Sequence, residues 1–88
     1  MMTDREMDLA VGTWFRARRK DLGMTLRDMT DRMWENGNRK VHISALGDLE
    51  LGRKPFTLRR WRDLAAGLDM NVGDLIREVA DRIDALLQ

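Results

Sequence analysis

The chain has 88 residues, enough for one small domain with a single core and too few for two. It contains no cysteine and one histidine, which excludes a disulfide framework and a thiolate metal site and argues against a histidine-based catalytic pair. No apolar run approaches the ~20 residues that span a bilayer, and the charged N-terminus lacks the apolar core of a signal peptide. We therefore expect a cytoplasmic protein with no membrane contact and no cofactor.

The formal net charge of +1 conceals an uneven distribution along the chain. Residues 1–38 are neutral overall, residues 39–62 carry a net charge of +5, and residues 63–88 carry −4. Neutralising phosphates supplies much of the affinity of proteins for nucleic acid, so the basic central block indicates a phosphate-contacting surface. A solvated, arginine-rich surface is the alternative.

The first predicted helix is amphipathic and runs from about Met7 to Leu22, because its apolar residues recur at helical spacing. Thr3 or Asp4 can cap its start, and Gly23 is a natural stop. Cations near a helix C-terminus interact favourably with the helix dipole, and we assign that role to the basic residues at this end, with a DNA contact as the alternative. They are Arg16, Arg18, Arg19 and Lys20.

A second helix is predicted to begin after Thr25, which forms a capping box with Asp28. This helix is expected to end near residue 34 or 35. A loop over residues 35–40 follows, in which Asn36-Gly37 is a strong turn signal.

The third predicted helix, from about Ile43 to Leu51 and ended by Gly52, is the central element of the chain. It would bury Val41, Leu46 and Leu49. Its outer side would carry His42, Ser44, Ala45 and Asp48. Gly47, inside the helix, costs about 1 kcal/mol relative to alanine. So small a residue permits close approach by another backbone, that of the second helix or of DNA.

Two more helices follow the only proline, Pro55. Thr57 caps the fourth, whose inward residues are Leu58, Trp61, Leu64, Ala65 and Leu68. Asn71 caps the fifth, whose apolar stripe comprises Val72, Leu75, Ile76, Val79, Ile83, Leu86 and Leu87. Residues 77–88 of this helix either fold back on the first helix or pair with a second copy. We expect a homodimer interface formed by Val79, Ile83, Leu86 and Leu87.

The order and spacing of these elements resemble the phage-repressor and Cro-like helix-turn-helix family, also called the xenobiotic-response-element type. The motifs that carry the resemblance are VGxxFRxxRKxxGMTLRDM from residue 11, VHISALGDLELGR from residue 41, and Pro55 followed by LAxxLxMxVxDL from residue 64. They cover residues 11–76. The resemblance implies one all-α domain over residues 1–88, a compact five-helix lambda-repressor-like DNA-binding domain with an extended C-terminal helix. Its third helix would enter the major groove, commonly as a dimer on a near-palindromic site.

Family positions carried over to this chain assign contacts with DNA. The residues placed at base edges are His42, Ser44, Ala45 and Asp48. The residues placed near phosphates are Arg27, Arg53 and Lys54, and a loop longer than the family's tight turn adds Arg39 and Lys40. Glu50 is expected to be structural, in a local hydrogen-bond or ion-pair network. Residues 43–51 contain no Arg, Lys, Asn or Gln, so specificity would rest on few direct contacts and on DNA shape.

The leading hypothesis is a sequence-specific DNA-binding transcriptional regulator, a small repressor of phage or bacterial type, whose partners are double-stranded DNA and a second copy of the chain. An antitoxin that also holds a protein partner is a variant. The alternative is a protein-interaction module with weak or no base reading, which an exposed Trp14 and Trp34 would support. We expect both tryptophans to fill space under the long loop instead. No enzyme is expected, because the sequence has no phosphate-cradling glycine loop, nucleophile pair or clustered metal ligands.

Overall fold

The computed structural model describes residues 2–87, so the two ends of the predicted domain, Met1 and Gln88, lie outside the described residues. Five helices make up the fold: α1 (Asp4–Asp21), α2 (Leu26–Gly37), α3 (Ile43–Glu50), α4 (Leu58–Leu68) and α5 (Val72–Leu87). The Cα radius of gyration is 12.2 Å, close to the about 12 Å expected for a folded chain of this length. The prediction of five helices is confirmed, with no strand in the described part of the chain.

The predicted N-terminal caps of α1 and α2 are present. Thr3, rather than Asp4, caps α1, and its hydroxyl accepts a 3.1 Å hydrogen bond from the backbone N–H of Glu6. At α2 the hydroxyl of Thr25 accepts from the N–H of Asp28 at 3.1 Å, and the Asp28 carboxylate accepts from the N–H of Thr25 at 2.9 Å. The hydrogen bond that this carboxylate accepts from the Thr25 N–H is the main cause that lowers the pKa of Asp28. Both helices therefore begin where short-range sequence signals place them.

Helix α2 continues past its predicted end because its last turn packs tightly on α4. The side-chain amide of Asn36 donates to the carbonyl of Ala66 at 2.9 Å. A Cβ atom on Gly37 would lie 2.9 Å from the Cβ of Ala66. The chain leaves the helix only at Asn38, which adopts the left-handed conformation with φ 52°. The turn predicted at Asn36-Gly37 is therefore the last turn of a longer α2, and the loop is reduced to residues 38–42.

The core lies where all five helices meet. Its largest fully buried side chains are Phe15, Met29, Met33, Leu46, Leu64, Leu75 and Val79. Helices α2 and α4 pack closely there because a Cβ on Gly67 would lie only 2.6 Å from the sulfur of Met29. Trp61 is half-buried against this core, with its ring 5.4 Å from that of Phe56. The inward orientation predicted for Leu58 is wrong: it is 67% exposed, and the buried residues of α4 begin only at Leu64.

Helix α1 approaches α3 most closely at Gly12. A Cβ atom at this position would lie 2.2 Å from the carbonyl oxygen of Leu49 and 2.7 Å from that of Glu50. Gly47, where the sequence predicts a close backbone approach, has only the Cδ1 atom of Leu26 nearby, at 4.0 Å. The glycine that permits backbone contact with α3 is therefore on α1 and not within α3 itself.

A buried ion pair joins the same two helices. The guanidinium of Arg19 donates to both carboxylate oxygens of Glu50, at 2.7 Å from Nε and 2.9 Å from Nη2. Its Nη1 donates to the carbonyl of Met24 at 2.7 Å. The two side chains are only 8% and 4% exposed, and the hydrogen bond to Glu50 raises the pKa of Arg19. The structural role expected for Glu50 is confirmed, and its partner is an arginine that the sequence assigned to the helix dipole.

Helix α5 packs along α1 through the ion pair between Arg18 and Glu78, at 3.1 Å. Val79 is fully buried in the core, and Ile83 is half-buried against it. Val79 thus faces the core of its own chain, and only Leu86 and Leu87 of the predicted dimer interface are exposed, at 51% and 53%. Within residues 2–87, no helix combines the length and apolar content needed to cross a membrane.

Two glycine substitutions are expected to have opposite effects on stability. Gly12→Ala should lower the free energy of unfolding by about 1–3 kcal/mol, because the new methyl group would overlap carbonyl oxygens of α3. Gly47→Ala should raise it by up to about 1 kcal/mol, because alanine is the better helix former and the site has room. Urea unfolding of both variants measures the difference. Similar effects in the two proteins would contradict the close approach at Gly12.

Breaking the buried ion pair should be more damaging than breaking an exposed one. Glu50→Gln is expected to lower the free energy of unfolding by about 3–5 kcal/mol, because it leaves the charge of Arg19 buried without a counter-charge. The apolar double variant Arg19→Met/Glu50→Leu should recover much of that loss. Arg77→Gln, which removes an exposed pair with Asp74, serves as the control and should change stability by less than about 1 kcal/mol. Equal losses in Glu50→Gln and Arg77→Gln would show that the buried pair is unimportant.

Candidate nucleic-acid interface

The outer side of α3 is accessible. Its buried residues, Leu46, Leu49 and Glu50, face the rest of the chain. The four residues predicted at base edges lie on the accessible side: His42 and Ser44 are exposed, and Ala45 and Asp48 are partly exposed. His42 occupies the N-cap position, but its side chain accepts no capping hydrogen bond, which leaves the first-turn amides without a side-chain partner there.

Asp48 forms a small charged cluster with two of the predicted phosphate ligands. Its carboxylate oxygens lie 3.8 Å from Nη1 of Arg53 and 3.8 Å from Nζ of Lys54. Exposed pairs of this kind contribute little, about 0–1 kcal/mol, so either cation can exchange Asp48 for another anion. Asp48 thus offsets part of the positive charge beside α3, and its own negative charge is offset in turn.

The two cations of the 38–42 loop have different surroundings. Arg39 turns towards α4, where its Nε donates to the carboxylate of Asp63 at 3.0 Å. The Asp63 side chain is only 12% exposed. Lys40 is exposed and makes no ion pair with any acid of the described chain. Arg39 therefore attaches the loop to α4, whereas Lys40 projects freely.

An open cleft of about 750 Å³ brings several predicted residues together on one side of the loop. Arg27 comes from the first turn of α2, Lys40 and His42 from the loop, and Ser44 from α3. Sequence positions 17 residues apart thus border one surface. Arg53, Lys54 and Asp48 do not line this cleft and form the separate cluster beyond it.

Trp34 lines this cleft and is 54% exposed, so the prediction that it fills space under the loop is wrong. The buried side of α2 is occupied by Met29, Thr30 and Met33. Trp34 follows Met33 by one residue, about 100° further around the helix, and therefore points out beside α3. Trp14 is half-buried against the core, with the guanidinium carbon of Arg18 lying 6.0 Å from the centre of its ring.

A second cleft, of about 530 Å³, lies on the other side of the loop and extends to α4. His42 and Ala45 of the predicted base-facing set line it together with Arg59 and Arg60. The side chain of Arg60 donates to the carbonyl of Pro55. The sequence counts these α4 arginines in the basic block but assigns them no role. The signal that could have identified them is their place in the first turn of the helix that follows α3.

No group of three or more histidine, aspartate or glutamate side chains within residues 2–87 is arranged to hold a metal ion. No protein-family model matches the chain, and no curated protein or solved structure is significantly similar to it. Its function is therefore inferred from its own residues and their geometry.

Proposed function

We propose that the chain is a sequence-specific DNA-binding transcriptional regulator with a lambda-repressor-like fold, in which α3 enters the major groove. The observation that carries the proposal is the shared surface of α3, the loop and the start of α2. There Ser44 and His42 stand beside two cations, Arg27 and Lys40, around one open cleft. A protein that reads a duplex groove needs both kinds of group, because phosphate contacts fix its register and base contacts read the sequence.

The side chains on the accessible side of α3 support the proposal. An α-helix, about 10–12 Å across with its side chains, fits a major groove about 12 Å wide. Ser44 can donate to or accept from a base or a phosphate, and Ala45 can contact a thymine methyl group. Asp48 can accept from cytosine N4, and the nearby Arg53 and Lys54 reduce its repulsion from the phosphates. Free amides at the start of α3 add donors for a phosphate.

Binding of this kind would depend more on the backbone than on the bases. The accessible side of α3 offers few groups that distinguish one base pair from another, while cations surround it. Phosphate contacts would fix the register of the protein, and the deformability of the site would add specificity. A homodimer joined through Leu86 and Leu87 at the exposed end of α5 would match a two-fold-symmetric operator. The regulator would act as a small repressor.

The proposal is tested by titrating the protein onto the DNA immediately upstream of its own gene, at two salt concentrations and with a scrambled competitor. We expect a site-selective, salt-sensitive complex with two chains per site. His42→Ala/Ser44→Ala should weaken binding to the selected site by about 1–3 kcal/mol for each lost base contact, with a smaller loss on the competitor. Arg27→Gln should weaken both similarly. If the protein shows no selectivity at either salt concentration, the proposal is refuted.

Trp34 favours a second candidate function, a protein-interaction module. A large aromatic side chain that is 54% exposed beside a cleft is a typical anchor for a protein partner. The two candidates differ in what must cover Trp34. In the regulator it borders the DNA, whereas in the interaction module it meets another protein and remains uncovered when DNA is added.

Tryptophan fluorescence separates these candidates. If the regulator proposal is correct, a saturating duplex should quench or shift the emission of the wild-type protein, because Trp34 shares its cleft with Arg27 and Ser44. The change should be lost in Trp34→Phe and kept in the matched control Trp61→Phe, whose ring is half-buried against the core. Selective DNA binding with unchanged Trp34 emission would place this residue outside the DNA interface and leave it available to a protein.

A further inference from the structure

A polar hollow of about 370 Å³ lies between the 38–42 loop and α4, beyond the face of α3. Its lining residues are Gly37, Asn38, Arg39, Arg59, Arg62 and Asp63. Three of them are arginines and one is an acid, and none has an apolar side chain. A hollow with this lining suits an anion with several oxygen atoms.

The walls of the hollow are held in place by contacts between α2 and α4. The amide of Asn36 binds the carbonyl of Ala66 at 2.9 Å, and Gly37 allows the two helices to touch at Ala66. Arg39 then attaches the loop to Asp63 on α4 at 3.0 Å. The arrangement of arginines therefore rests on helix packing, and an anion would bind without ordering a free loop.

The charges in the hollow are not balanced. Its only acid, Asp63, is largely buried and already engaged by Arg39. Arg59 and Arg62 are exposed and have no carboxylate within ion-pair distance in residues 2–87. They are three residues apart on α4, so their like charges are neighbours on one helix face, which is unfavourable by a few tenths of a kcal/mol. An anion placed between them would remove that repulsion.

Phosphate is the anion that this arrangement favours. The planar guanidinium group presents its N–H donors in a fork that matches two phosphate oxygens. Arg59 also lines the cleft that contains His42 and Ala45, so the cationic surface is continuous with the accessible side of α3. A duplex lying on α3 would therefore have a backbone phosphate close to the hollow.

We propose that this hollow binds a phosphate group of the DNA backbone, outside the groove that α3 occupies. Arg59 and Arg62 contact the phosphate, and Arg39 is a positioning residue held by Asp63. The inference rests on the proposed DNA-binding function and adds to it a contact surface on α4. It also assigns a role to the enlarged loop, which closes one side of the phosphate site.

The test compares two double variants of the full chain that lose the same charge. Arg59→Gln/Arg62→Gln removes the proposed contacts. Arg5→Gln/Arg82→Gln removes two exposed arginines that make no ion pair within the described residues. Duplex binding is measured at several salt concentrations, and circular dichroism verifies that each variant is folded. The slope of log K against log salt should fall in magnitude by about 0.9 for the first variant, because one phosphate contact is lost, and stay unchanged for the second.

Equal slopes for the two double variants would overturn the inference. If the two slopes are equal while the wild-type protein binds its site selectively through His42 and Ser44, only the proposal of a phosphate site in the hollow is wrong. If the wild-type protein binds no duplex selectively, the proposed function fails and the phosphate site fails with it.

A titration with inorganic phosphate at constant ionic strength tests whether the hollow binds the DNA backbone or a free phosphate ion. The arginine Nε–H signals report occupation of the hollow by nuclear magnetic resonance. Shifts at Arg59 and Arg62 on adding duplex, together with the smaller salt slope, support the DNA assignment. Shifts caused by inorganic phosphate but not by duplex would make the hollow a site for free phosphate and overturn it.

Discussion

The position of α3 depends on the buried ion pair between Arg19 and Glu50. A helix of eight residues has little stability of its own, so its orientation is set by what it packs against. Removing two charges from water is costly, and the cost is offset here by two hydrogen bonds between the groups and a third to the carbonyl of Met24. Gly12 allows the backbones to come close enough for this geometry. One side of α3 therefore packs against α1, and the opposite side remains accessible.

Features encoded over three or four residues could be predicted from the sequence, and those that depend on distant partners could not. The capping hydroxyls of Thr3 and Thr25 and the extent of α3 follow from local signals. Glu50 could be recognised as structural, but its partner is 31 residues away, and no periodic pattern connects the two positions. The end of α2 depends on a distant partner in the same way, because its last turn is stabilised by Ala66 on another helix. The sequence cannot place Trp34, because a large apolar residue at the edge of the apolar stripe of α2 is compatible with either the buried or the exposed side of the helix.

The candidate site was predictable in composition and less so in arrangement. The sequence indicates Arg27, the basic block and the outer side of α3 as the candidate site, but no sequence pattern shows which cations lie together. The sequence predicts that Arg39 and Lys40 of the loop contact phosphates or reach toward a groove, and it gives no sign that Arg39 also attaches the loop to α4 through Asp63. As a result the loop separates two clefts, with Trp34 in one and Arg59 in the other.

The distribution of acids determines which cations are available to a phosphate. Arg53 and Lys54 share Asp48 at 3.8 Å, a loose exposed contact that a stronger anion can replace. Arg39 is different, because Asp63 is 12% exposed and would be left as an uncompensated, largely buried charge if the arginine moved away. Arg39 is therefore suited to hold the loop in place, and Arg59 and Arg62 on α4 are suited to contact a phosphate. The same physical rule thus separates positioning cations from contacting ones: the more completely a partner acid is buried, the less its arginine can be shared.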